Sequence, residues 1–250
     1  QGTKNKDTDA IATAFDDVGA EFSSESERDM AVLSLRTLSK ADALKPAIDT
    51  FVEVISQPSF PERSFDRLIN QVKTSLQSEK QSPSAIADRA FYQQLYDDHP
   101  YSSMPIGTEA SIDEISIADL QQFYQQFYVA NNAVLVIVGD VDIKQAKALS
   151  EKISGSLPAG KKAAALPEVE PLETAQQKNL PYPSSQTTIL MGQPGLTRDD
   201  PDFFPLYVGN HVLGGSGLVS IISDEIREKR GLSYSAYSYF RPMREAGPYQ

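Results

Sequence analysis

The stretch IADLQQFYQQFYVANNAVLVIVGDVDIKQAKALSEKIS, residues 117–154, decides the fold class. Its first part places apolar side chains at helical intervals, so Ile117–Tyr128 is read as a helix and the aromatic residues of QQFYQQFY (121–128) as core. The apolar run AVLVIVG (133–139) is short and stops at Asp140, which suits a strand over Ala133–Val138. A helical pattern returns at Ile143–Ser154. Helix, strand and helix in this order, with hairpin strands earlier, imply an α+β fold of helices packed on a mostly antiparallel sheet.

Toward the N-terminus, Thr8–Val18 carries Ile11, Phe15 and Val18 at helical spacing, and Gly19 follows as a stop. The polar run Glu21–Glu27 and the apolar run Met30–Leu38 read as a hairpin across Arg28-Asp29. Three helices follow over Ala41–Ser56, Pro61–Gln81 and Pro83–Tyr96. Pro61 and Pro83 occupy first-turn positions, where a missing N–H costs nothing, and Ser82 is an N-cap. DDHPYSSMPIGTEASIDEIS (97–116) is read as a loop.

Toward the C-terminus, LPAGKKAAALPEVEPLETAQQKNL (157–180) has no period and reads as a linker. The same grammar then restarts with strand Gln186–Met191, helix Phe203–Leu213, a Gly-Gly-Ser-Gly break, helix Leu218–Lys229 and strand Leu232–Phe240. The expected organisation is two related domains, 1–156 and 181–250, joined by 157–180, with the second domain incomplete. The chain lacks an initiating Met and stops at EAGPYQ, where a hairpin's second strand should begin, so we expect it to be the interior of a longer protein.

Composition narrows the function classes. The 250 residues are 40% hydrophobic with a formal charge of −11, which suits a packed core and argues against a grip on nucleic acid phosphates or anionic membranes. No apolar run approaches the roughly 20 residues of a membrane span, so no membrane insertion is expected. Without cysteine there is no thiolate chemistry, and two histidines leave few nitrogen ligands.

EIREKRGLSYSAYSYF (225–240) carries the strongest candidate for chemistry. Arg227 lies in the last turn before Gly231, and Tyr234 follows seven positions later, so a tight reversal could bring both side chains to one spot. A guanidinium and a phenol converging there could hold a peptide carbonyl, or the oxyanion formed when it is attacked. The alternative is structural: Arg227 answers the helix dipole and nearby acids while Tyr234 packs on a sheet. LGGSG (213–217) lacks the P-loop lysine, and is either a helix stop or a substrate contact through Gly214 and Gly215. His99 in DDHP (97–100) either caps its loop or joins Asp97 and Asp98 around an adventitious cation.

DDPDFFPLYVGNHVLGGSGLVSIISDEIREKRGLSYSAYSYF (199–240) resembles the second domain of the pitrilysin/insulinase family of zinc peptidases, the inverzincins whose first domain carries H-x-x-E-H. The resemblance extends over nearly the whole chain, through a helix pair, the His-Pro-Tyr loop, a Gly-Thr turn and the strand NAVLVIVGD. It implies that Arg227 and Tyr234 are the family's Arg/Tyr pair, which reaches toward substrate near the zinc. The zinc half departs from the pattern. His99 and His211 cannot form H-x-x-E-H, and the motif would fall upstream of QGTKNKD. The family's glutamate ligand falls at Ser75 and a supporting glutamate at Leu68, unless a shifted register brings in Glu79. Where family members carry Asn-Ala on the substrate-binding edge strand, this chain has Ser23-Ser24.

The resemblance with these departures leads us to expect a non-catalytic subunit of a heteromeric zinc peptidase. This chain would bind no cofactor, zinc would sit on a catalytic homologue of the same family, and the substrate would be a peptide. One alternative is an active zinc endopeptidase whose motif precedes this sequence; another is a structural scaffold without a peptidase role. The expected compartment is the periplasm, otherwise the cytoplasm.

Overall fold

The computed structural model describes residues 2–250; Gln1, where the first expected domain begins, lies outside the described residues. The regular elements are α1 (Thr8–Asp16), β1 (Glu21–Ser26), β2 (Ala31–Arg36), α2 (Ala41–Ser56), α3 (Glu62–Glu79), α4 (Pro83–Tyr96), α5 (Glu109–Glu114), α6 (Ile117–Phe127), α7 (Ile143–Ser154), β3 (Gln193–Pro194), α8 (Phe203–Asn210), α9 (Ile221–Ser223) and β4 (Pro248–Tyr249). The fold class is α+β, with helices beside two small antiparallel ladders, β1-β2 and β3-β4. Local chemistry sets several boundaries. Ser82 caps α4 by accepting from the Ala85 N–H, Asp142 and Gln145 close a capping box on α7, and Gly19 turns the chain after α1 at φ 63. Among the described residues, no helix is long and apolar enough to cross a membrane.

Three expected strands are corrected. Ala133–Val138, Gln186–Met191 and Leu232–Phe240 form no ladder; only Phe240 enters a bridge, with Tyr249. Their apolar side chains, among them Val134, Ile189 and Leu232, are largely exposed. Apolar, extended sequence marks a surface fit to be half-buried, but hydrogen-bonded pairing also needs a second strand in register, and among the described residues only the end of the third segment, at Tyr239 and Phe240, meets one, at Tyr249 and Gln250. The 97–116 segment also differs from expectation. It holds a 3-10 turn at Pro100–Ser102 and the short α5, whose capping box joins Thr108 to Ser111. The aromatics of α6 are not core: Phe123 is 54% exposed, and Tyr124 is held instead by its hydroxyl on the Ile55 carbonyl at 2.7 Å.

The chain packs as two compact units, residues up to Leu76 with Ile106–Ala164, and Gln77–Pro105 with Ala165–Gln250. In the first, Phe15 of α1 stacks on Phe22 of β1 with centroids 5.2 Å apart, and Phe22 meets Phe51 of α2 edge-on. Ala47, Ile48, Ile55 and Ile153 close this core. The N-terminal segment is tied to α2 at Glu53, which receives Lys6, the Thr3 hydroxyl (2.6 Å) and the Asn5 amide (3.2 Å).

Those donors, Lys6 foremost and Thr3 next, hold the Glu53 carboxyl below the usual carboxylate range. A depressed carboxylate contributes stability above its unfolded pKa of about 4.3 and loses it as pH falls through the lower folded value. Glu53→Gln should therefore be less stable than the parent near neutrality, and the gap should narrow as urea midpoints are followed from about pH 6 to about pH 3. Parallel curves would show that the knot contributes nothing through charge.

In the second unit, Tyr92, Leu95 and Tyr96 of α4 pack with Tyr101 and Met243, flanked by Phe91, Met104, Leu166 and Val169. The Tyr96 hydroxyl donates to the Ala246 carbonyl (3.1 Å), and the Tyr101 hydroxyl accepts from the Glu245 N–H (3.0 Å). The C-terminal hairpin closes tightly. A Cβ on Gly247 would lie 1.9 Å from the Arg241 carbonyl oxygen, so only glycine fits there.

Candidate functional site

The expected helix over Leu218–Lys229 is instead three short pieces: a 3-10 turn at Gly217–Val219, α9, and a π turn at Asp224–Glu228. Ser220 separates the first two; its hydroxyl donates to the Gly217 carbonyl (2.9 Å) and accepts from the Ser223 N–H (3.2 Å). A π turn widens the backbone ring by one residue and recurs at functional sites. The expected helix Phe203–Leu213 likewise ends at Asn210 and widens into a π turn at His211–Gly215. In both segments the apolar spacing reads as a regular helix, and neither widening is foreseen from it.

Arg227 sits in the second π turn, in ion contact with the adjacent Glu228 at 3.3 Å, its side chain 33% exposed. Gly231 then adopts φ 62, as the sequence implied, and nested bonds close the reversal: the Gly231 N–H to the Arg227 carbonyl (2.9 Å) and the Leu232 N–H to the Ile226 carbonyl (3.1 Å). Tyr234 follows on an irregular segment and is 88% exposed, so it does not pack on a sheet. Its phenol has no protein partner among the described residues. No contact joins Arg227 to Tyr234, but both present hydrogen-bond donors on either side of one glycine reversal.

Gly214 is buried against Ser238. Its carbonyl accepts the Ser238 N–H (3.3 Å), and a Cβ would meet Ser238 Oγ at 2.2 Å. Gly215 is exposed beside Asn210. The glycines of this break therefore permit a close approach of two segments. Ser23 and Ser24 are exposed on β1, paired in register with Ser34 and Leu33 of β2.

The residues at the metal positions implied by the resemblance do not fit a zinc site. Leu68 has no donor atom, and Ser75 offers an exposed hydroxyl on α3 in place of a carboxylate. Glu79, the shifted-register candidate, is bound to Arg89 at 2.8 Å. Among the described residues no group of three His, Asp or Glu side chains is arranged to hold a metal. His99 has both ring nitrogens engaged: Nδ1 accepts the Tyr101 N–H (3.0 Å), which makes Nε2 the donor to the Pro167 carbonyl (2.9 Å). That is the capping role. His211 is exposed at the end of α8.

The strongest ionic cluster of this region is structural. Lys229 pairs with Asp224 (2.8 Å) and Glu225 (2.5 Å), and Arg230 also reaches Glu225 (3.3 Å). Hydrogen bonds from Lys229 first and Arg230 second pull the Glu225 carboxyl down from its usual range. With Lys229 and Arg230 occupied by these acids, Arg227 is the cation next to the reversal left with a single weak contact.

Two family profiles match the chain: "Insulinase (Peptidase family M16)" over residues 1–109 and "Peptidase M16 inactive domain" over residues 114–249. An uncharacterized zinc protease of Streptomyces coelicolor is 26% identical over 99% of this chain and 54% of its own length. A protein of Helicobacter pylori named a non-peptidase homolog is 28% identical over 76% of this chain and 44% of its own. The chain thus spans about half the length of these relatives or less. The crystal structure of a peptidase M16 inactive domain from Pseudomonas fluorescens superposes with a TM-score of 0.97 at 39% identity, covering 99% of this chain and 60% of that one.

Proposed function

Because the chain belongs to the M16 (insulinase) family of peptidases, we propose that it is a non-catalytic member working beside a zinc-bearing homologue of the same family. The observation that carries this reading is the chemistry of α3. Its two implied ligand positions hold Leu68 and Ser75, and its remaining nearby carboxylate, Glu79, is occupied by Arg89. The name borne by the Helicobacter pylori relative supports it from outside this chain.

In this reading the chain contributes binding rather than metal chemistry. Arg227 offers a planar fork of donors and Tyr234 a phenolic O–H, and both are suited to a peptide carbonyl oxygen, more so as that oxygen gains charge. Within the first packing unit, Ser23 and Ser24, exposed on β1, would hydrogen-bond extended peptide backbone; within the second, Gly214 and Gly215 would offer backbone contacts of their own to a peptide. We place the division of labour along the sequence as 1–156, a linker at 157–180, and 181–250, and the compartment as the periplasm.

The test is zinc content and cleavage of an internally quenched, unstructured peptide by the full-length protein, alone and mixed with its zinc-bearing homologue. The expected result is no zinc and no turnover alone, and faster turnover in the mixture than with the homologue by itself. Zinc with turnover in the protein alone would establish the active-peptidase alternative, which the zinc protease name of the Streptomyces coelicolor relative keeps in view. No turnover in any combination would leave the scaffold reading.

A further inference from the structure

Tyr234 rides on an arch, residues 232–237, with no ladder of its own, so its position depends on how the two feet are held. The near foot is the Gly231 reversal, closed by the Leu232 N–H on the Ile226 carbonyl at 3.1 Å. The far foot is Ser238, 6% exposed, which meets Asn210 of α8, 8% exposed. The Asn210 side-chain N–H donates to the Ser238 carbonyl (2.9 Å), and the Ser238 hydroxyl donates back to Asn210 Oδ1 (2.6 Å). Beyond Ser238 the chain meets the isolated bridge at Phe240, where Tyr239 and Gln250 exchange both backbone hydrogen bonds at 2.9 and 3.0 Å.

This contact has a direction. Turning the carboxamide over would set its oxygen against the Ser238 carbonyl, two acceptors facing each other in a buried place, so one orientation is fixed. The missing Cβ of Gly214, in the π turn after Asn210, is what lets the segment approach, since a Cβ would lie 2.6 Å from the Ser238 nitrogen. Asn is also a poor residue for a helix interior, and at the C-terminal end of α8 its side chain is spent wholly on Ser238.

We infer that Asn210 and Ser238 are positioning residues: a reciprocal side-chain latch that anchors the arch carrying Tyr234 and so sets where the phenol is presented. This deepens the reading of Tyr234 as a donor to substrate and rests on it.

Two measurements on the full-length protein test the latch. Hydrogen exchange at the Ser238 and Tyr239 amides should quicken by about tenfold or more in Asn210→Ala, as loss of buried hydrogen bonds implies, while the body of α8 keeps its protection. Ser238→Ala, which keeps the carbonyl acceptor and its bond from Asn210, should show a smaller rise. With the zinc-bearing homologue and the quenched peptide, Asn210→Ala should lower kcat more than it raises KM, and that loss should vanish in a Tyr234→Phe background. Unchanged exchange at Ser238 overturns the proposal, and so does a loss of turnover that is the same with or without the Tyr234 hydroxyl. Should Tyr234→Phe leave turnover untouched while exchange quickens as described, the latch stands and the role of Tyr234 in catalysis falls. If Asn210→Ala does not fold, Ser238→Ala decides on the same two readouts.

Discussion

Peptide turnover by the mixture of this protein with its zinc-bearing homologue is expected to fall about 10²–10³-fold in Arg227→Ala and by a similar factor in Tyr234→Phe, with the homologue's zinc content unchanged. The size follows from losing one donor aimed at a developing oxyanion, about 3–4 kcal/mol of barrier. The structure makes the experiment clean. Tyr234 is 88% exposed and its hydroxyl has no protein partner among the described residues, so removing it should leave stability within about 0.5 kcal/mol. Arg227 makes one ion contact, 3.3 Å to its neighbour Glu228, a pair too exposed to contribute much to folding. A drop in rate therefore reports function and not unfolding. Arg227→Lys keeps the charge but replaces a planar fork with a point donor, and should recover only part of the loss. Wild-type rates in both single variants would remove these residues from the mechanism.

The same two residues show how far the sequence could be read. Gly231 as a left-handed stop and Arg227 in the turn before it were legible, because positive φ and last-turn position are local properties. So were α2, α4 and α7, each found over the range expected, since apolar spacing, joined in α4 and α7 by the caps Ser82 and Asp142, is written within a few residues of each boundary. The segments 133–138, 186–191 and 232–240 were read as strands from equally local cues, and there the cues failed. A strand is a relation between two segments, and a run such as AVLVIV specifies only one of them. The π turns at 211–215 and 224–228 were illegible for a related reason. At Gly214 the widened turn lies against Ser238, which belongs to a different segment and so leaves no mark on residues 211–215 themselves. Asn210 left only the hint of a poor helix former inside an apolar stretch.

Tyr101 offers the largest expected change in stability, and it ties a sequence motif to its physical cause. The His-Pro-Tyr run at 99–101 was recognised by resemblance; in the structure it is a 3-10 turn whose first N–H, that of Tyr101, is capped by His99 Nδ1 at 3.0 Å. The turn drives the Tyr101 ring into the core of the second packing unit, 1% exposed, edge-on to Tyr96 (5.5 Å) and to His99 (4.6 Å). Its hydroxyl accepts the Glu245 N–H at 3.0 Å, so one side chain joins α4, the turn and the C-terminal segment. Tyr101→Ala opens a cavity the size of a ring and should cost about 3–5 kcal/mol by urea midpoint. Tyr101→Phe keeps the ring and leaves the Glu245 N–H without that acceptor, which costs about 1–3 kcal/mol. Hydrogen exchange at the Glu245 amide separates the two effects: it should quicken in both variants, while the amides of α4 should lose protection only in Tyr101→Ala. Equal losses of stability would mean that the hydroxyl, and not the packing of the ring, fastens the C-terminal segment to this core.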